Sequence, residues 1–134
     1  MALRGIHHVG VAVSDLDEAI ATYGRLFGAG VEHRARLDDQ AVEAAYLRIG
    51  VSRVELLAPT DEDSPVGRFL ASRGPGMHHI AFEADDMEAE LRELAAGGAE
   101  LIDGAPRTGL FGLEVAFVHP DAVHGVLTEV VSGG

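Results

Sequence analysis

His7-His8-Val9-Gly10-Val11-Ala12-Val13-Ser14-Asp15-Leu16-Asp17-Glu18 decides the fold, because the chain restates it as His78-His79-Ile80-Ala81-Phe82-Glu83-Ala84-Asp85-Asp86-Met87-Glu88-Ala89. Each copy is a His-His pair, a short apolar run, an acidic helix-start signal and an amphipathic segment. Two copies are too few for a solenoid and point to two like modules. In a strand, successive side chains face opposite ways. His7, Val9, Val11 and Val13 therefore share a bulky face, suited to packing on a helix. His8, Gly10 and Ala12 share the other, where small neighbours leave room for a ligand. In the second copy His78, Ile80 and Phe82 form the bulky face, and His79 takes the place of His8.

Working outward, Ser14 with Asp17 forms a capping-box variant, and Leu16, Ala19, Ile20, Tyr23 and Phe27 follow at helical spacing until Gly28 and Gly30. Val31 to Arg36 and Val42 to Ile49 read as strands around the polar turn Asp38-Asp39-Gln40. Arg53 to Leu57 is another, stopped by Pro59. Ser64-Pro65 starts a short connector helix through Leu70, and Gly74-Pro75-Gly76 breaks the chain. The second module repeats the order. A strand spans His78 to Phe82, a cap at Asp85 starts a helix carrying Met87, Leu91 and Leu94, and Gly97-Gly98 ends it. Strands follow at Glu100 to Ile102, Glu114 to Val118 and Val126 to Val131, with a glycine-rich loop from Gly104 to Gly112. The expected fold is α+β: two paired βαβββ modules forming a curved, barrel-like mixed sheet around a metal-binding cleft, helices outside. Residues 1–134 read as a single domain, with module one about 5–59, a connector about 60–76 and module two about 77–131.

At 134 residues and 47% apolar the chain can bury one sizeable core. Its formal net charge is −12 and all 10 basic residues are arginine, which argues against nucleic acid or an anionic membrane as partner. A few arginines near one cleft still leave room for an anionic small molecule. There is no cysteine, so disulfides and thiolate ligands are excluded. No apolar run approaches the roughly 18 residues of a membrane span and no leader is evident. The expectation is a cytoplasmic protein.

Two glutamates join the histidines. Glu55 follows His8, and Glu129 follows His79, at nearly equal intervals, each in its module's last strand and each interrupting an apolar run. Alone, either glutamate would read as an edge-strand charge, and either histidine as a hydrogen-bonded core residue. Together they give each module one imidazole and one carboxylate, and an ionised carboxylate in an apolar strand needs pairing or a metal. His8, Glu55, His79 and Glu129 are therefore the expected metal ligands. This donor set suits a divalent ion with vacant positions for Lewis-acid work. Cobalt, nickel, manganese or iron would suit it and zinc remains possible; the four ligands alone do not identify the metal.

On these residues the chain resembles the vicinal oxygen chelate superfamily, and most closely its methylmalonyl-CoA epimerases. The segments HHVGVAVSDLDEAI, VELLAPTDEDSPVGRFL, GPGMHHIAFEADDMEAEL and FVHPDAVHGVLTEV after APRTG carry the likeness over almost the whole chain. The resemblance implies the same four ligands, a homodimer, and an acyl-CoA substrate. It also implies interconversion of (2R)- and (2S)-methylmalonyl-CoA by α-proton abstraction through a metal-stabilised enediolate. Glu129 is then ligand and base. The sequence departs from the family where some epimerases carry a second glutamate, since Ala44 stands there. Glu55, or Glu43 if a bulge turns it, takes the partner role. Asp121 and Leu113-Glu114 stand where related chains carry positive charge.

Arg107, Arg68 and Arg73 are weaker candidates for anion contact, each more simply a solvated side chain. His119 and His124 sit in a turn, His7 and His78 read as structural, and Asp85-Asp86 as helix caps. Two other functions remain open. One is a glyoxalase-type lactoylglutathione lyase with a similar metal site. The other is a metal-free binding protein of the bleomycin-resistance type, which the scarcity of aromatic residues disfavours.

Overall fold

The structure is a computed structural model and describes residues 3–102 and 104–133. The chain divides into two compact units, one running His8–His78, the other joining the residues through His7 to those from His79 onward. Each boundary falls between the two histidines of a repeated pair.

In the His8–His78 unit, β1 (Leu3–Ala12, entering from the other unit) leads into α1 (Leu16–Phe27), β2 (Gly30–Leu37), β3 (Val42–Ile49), β4 (Ser52–Pro59) and α2 (Pro65–Arg73). Strand β1 runs parallel to β4, which pairs antiparallel with β3, and β3 pairs antiparallel with β2. The second unit holds β5 (Gly76–Ala84, whose first residues belong to the other unit), α3 (Met87–Ala96), β6 (Arg107–Thr108), β7 (Glu114–Val118) and β8 (Thr128–Ser132). Here β5 is parallel to β8, β8 antiparallel to β7, and β7 antiparallel to β6. Among the described residues, eight strands and three α-helices make a mixed α+β fold, with one pairing scheme used twice.

Alternation decides which side of each sheet meets its helix. Ala45, Leu47, Leu56 and Ala58 pack with Leu16 of α1, and Val11 and Val13 lie against that cluster, as the valine face of the first repeat requires. In the second unit Ala116, Val118 and Val130 pack with Met87 and Leu91 of α3. Helix starts differ from expectation by one residue in both modules. Asp15, not Ser14, accepts from the Glu18 N–H at 3.0 Å, and Asp86, not Asp85, accepts from the Ala89 N–H at 3.1 Å. Either residue of each pair can cap. Burying Leu16 and Met87 as the first helical residues selects the aspartate immediately before them. Asp85 instead lies 3.3 Å from Arg4. Helix α2 is capped by Ser64 as expected but continues past Leu70 to Arg73.

Glu100 to Ile102 does not become a named strand. Leu101 forms a single bridge to Val118, with the His119 N–H donating to the Glu100 carbonyl and the Ile102 N–H to the Phe117 carbonyl. The strand beside β7 is instead β6, inside the segment expected to be loop. Pro106 has no N–H to donate, so regular pairing begins at Arg107. No helix among the described residues is long and apolar enough to cross a membrane.

Candidate metal and proton-transfer site

The first half builds its site from parallel pairing. Gly10 of β1 stands beside Glu55 of β4, and His8 shares the face of Gly10, so imidazole and carboxylate emerge on the same side. His8 Nε2 lies 3.4 Å from Glu55 Oε1, with the residues only 1% and 6% exposed. Because β4 runs between β1 and β3, Glu55 is no edge-strand charge. Tyr46 of β3 is directly cross-strand from Glu55, and its ring centroid is 5.0 Å from that of His8.

The second half repeats this residue for residue. Ala81 of β5 stands beside Glu129 of β8, and His79 shares the face of Ala81. His79 Nε2 is 3.9 Å from Glu129 Oε1, and both residues are buried. Strand β8 lies between β5 and β7. Phe117 of β7 is cross-strand from Glu129, its ring edge-on to His79 with centroids 6.1 Å apart. The two aromatics escaped the sequence reading. The signal was present in Ala44-Ala45-Tyr46-Leu47 and Val115-Ala116-Phe117-Val118, which carry the repeat into each module's third strand.

The donors fit a divalent cation on chemical grounds. Buried ionised carboxylates are costly without a counter-charge, and each has an imidazole beside it. The buried nitrogens of His8 and His79 and the carboxylate of Glu129 are donor types that hold metal ions. Two ligands each about 2.1 Å from a cation lie roughly 3.0–3.5 Å apart for bond angles between octahedral and tetrahedral. The 3.4 Å of the first pair falls in that range, and the 3.9 Å of the second needs a small closing movement.

Glu43 stays on the α1 side of its sheet. Pairing between β3 and β4 runs without a shift from Val42 to Ile49, so no bulge turns it toward the His8 face. There it receives a 2.6 Å hydrogen bond from Arg34 Nη2, while Arg34 Nη1 donates to Asp17 Oδ1 of α1. The bond to Glu43 and then that to Asp17 raise the Arg34 pKa further. Ala44 is fully buried and shares the face of Tyr46. His119 Nδ1 accepts from the Asp121 N–H, His124 closes a 3-10 turn at φ 61°, and His7 is buried. His78 packs edge-on to Phe69 at 4.9 Å. Arg68 donates to the Asp63 carbonyl, and Arg73 stacks over Phe69. Arg107 lies over Phe117, its guanidinium carbon 5.9 Å from the ring centroid.

Residues 7–117 match the Glyoxalase/Bleomycin resistance protein/Dioxygenase superfamily. The chain belongs to that superfamily. It is similar to an ethylmalonyl-CoA/methylmalonyl-CoA epimerase of Cereibacter sphaeroides, 35% identical over 127 residues covering 93% of this chain and 95% of that one. The crystal structure of methylmalonyl-CoA epimerase from Mycobacterium tuberculosis superposes with a TM-score of 0.95 at 36% identity, covering 99% of this chain and 90% of the other. A methylmalonyl-CoA epimerase in complex with methylmalonyl-CoA and NH4+ gives 0.95 at 39% identity, covering 99% and 96%.

Proposed function

We propose that the protein is an epimerase of methylmalonyl-CoA, interconverting the 2R and 2S thioesters. The observation that carries this reading is the buried imidazole–carboxylate pair at matched positions in both halves; the substrate comes from the relatives, which are epimerases of that thioester. In this reading the two units act as one domain, and His8, Glu55, His79 and Glu129 hold one divalent ion, with cobalt the first to test. When bound there, a divalent ion would supply Lewis-acid stabilisation of the negative charge that develops on the thioester oxygen. Glu129 accepts the α-proton: the Cα–H bond breaks, its electron pair passes into the thioester carbonyl, and the proton rests on a carboxylate oxygen. Inversion needs a proton returned to the opposite face, and Glu55 is assigned that delivery, since Glu43 is engaged by Arg34 on the α1 side. The active species is taken to be a cytoplasmic homodimer.

Incubation of cobalt-loaded protein with methylmalonyl-CoA in deuterated water should exchange the α-hydrogen. Chelation should stop the exchange, and Glu129→Gln should slow it by about 10²–10⁴-fold, the usual worth of a positioned base. Exchange seen only with the glutathione hemithioacetal of methylglyoxal would select the lyase. No metal uptake and no exchange with either compound would leave a binding protein.

A further inference from the structure

We propose that Arg107 is the anion anchor of this site, gripping a negatively charged group of the acyl-CoA; the inference rests on the epimerase reading. Residues 44 and 46 of β3 correspond to 115 and 117 of β7, since Tyr46 and Phe117 each oppose the glutamate of their half. Arg107 pairs with Val115, and the residue pairing with Ala44 is Ala35. One half thus carries a cation where the other carries a methyl group. Val115, Phe117 and Glu129 share a face by alternation and register, and the Arg107 guanidinium lies over Phe117, whose ring is edge-on to His79. One aromatic ring separates the cation from the imidazole.

Two halves that offer the same histidine and glutamate cannot by themselves tell one end of a substrate from the other; a single cation in one half can. It also opposes locally the −12 net charge that repels an anionic thioester. A guanidinium is a planar fork of N–H donors that matches a carboxylate or phosphate bidentately. Arg107 is exposed while His79 is buried, so the anchor stands at the solvent side, where a long ligand enters.

The test uses the full-length cobalt-loaded protein and its Arg107→Ala and Arg107→Lys variants. KM and kcat are measured with methylmalonyl-CoA and with methylmalonyl-pantetheine, which lacks the phosphates, alongside cobalt affinity and thermal melting. Arg107→Ala should raise KM at least tenfold with a much smaller fall in kcat, leave cobalt affinity and melting in place, and be partly rescued by lysine. A rise with both thioesters assigns the substrate carboxylate, and a rise confined to the CoA ester assigns a phosphate. An unchanged KM with both, or a KM rise that tracks lost cobalt affinity or lost folding, overturns the anchor. Wild-type protein that turns over neither thioester sinks the epimerase reading itself. Calorimetric titration with methylmalonyl-CoA, which carries both the carboxylate and the phosphates, then still tests Arg107, since equal binding by wild type and Arg107→Ala overturns it.

Discussion

The two halves share a plan and differ in finish. Both place a histidine on the first strand, a glutamate on the parallel neighbour and an aromatic ring opposite that glutamate. The first half closes its pair to 3.4 Å against a tyrosine, and the second leaves 3.9 Å against a phenylalanine backed by Arg107. Their outer strands diverge further, since β2 is 8 residues long and β6 only 2. Backbone pairing places the two histidines and two glutamates alike, while the outer strands differ. In the proposed reading, features shared by the halves serve the ion, and those peculiar to one serve the substrate or stability.

The strongest way to break this division is to remove the histidines one at a time. His8→Ala and His79→Ala should each weaken cobalt binding by at least about 100-fold, as loss of a donor exceeds the 10–100-fold typical of outer-sphere changes. His7→Ala should leave affinity nearly unchanged. Titration against a competing chelator reads all three. Loss in one histidine variant only would mean that the halves do not share an ion.

That contrast between neighbouring histidines was legible from sequence, because strand period two assigns His8 and His79 to the small-residue face without knowledge of the fold. Glu55 and Glu129 were legible for a related reason: a carboxylate in an apolar run must be explained. What was not legible depended on competition between near-equal local choices. Ser14 and Asp15 both cap well, as do Asp85 and Asp86, and the burial of Leu16 and Met87 settles the choice. Likewise Glu100 to Ile102 and Arg107-Thr108 both approach β7, and only the second forms a strand. Tyr46 and Phe117 were visible as residues, but their meaning needed the cross-strand register.

The caps sharpen the comparison at smaller scale. Asp15→Ala and Asp86→Ala each delete a side-chain acceptor for an otherwise unsatisfied first-turn N–H, and each should cost about 1 kcal/mol. Urea unfolding would show this as a lowered midpoint at constant slope. Ser14→Ala and Asp85→Ala should cost less than half as much. The reverse ranking would return the helix starts to the residues expected from sequence.

The smallest effect separates the halves by pH. Glu32 of β2 lies 2.9 Å from Arg48 of β3 and 2.7 Å from Arg53 of β4, tying the long outer strand inward. The hydrogen bond from Arg53, reinforced by the charges of both arginines, holds the Glu32 pKa below its usual 4.5 despite some desolvation. A carboxyl with a depressed native pKa binds protons more tightly when unfolded. Its contribution is therefore complete well above 4.5, begins to fade as pH falls toward that value, and is lost once the lower native pKa is passed. With side chains partly open to solvent, the contribution should be about 0.5 kcal/mol. Glu32→Gln should lower the unfolding free energy by that amount at pH 7 in low salt, and the gap from wild type should narrow as the solution is acidified below about pH 4. A gap that widened on acidification would mean that Glu32 gains nothing from its arginines, and that β2 is held by backbone pairing to β3 alone.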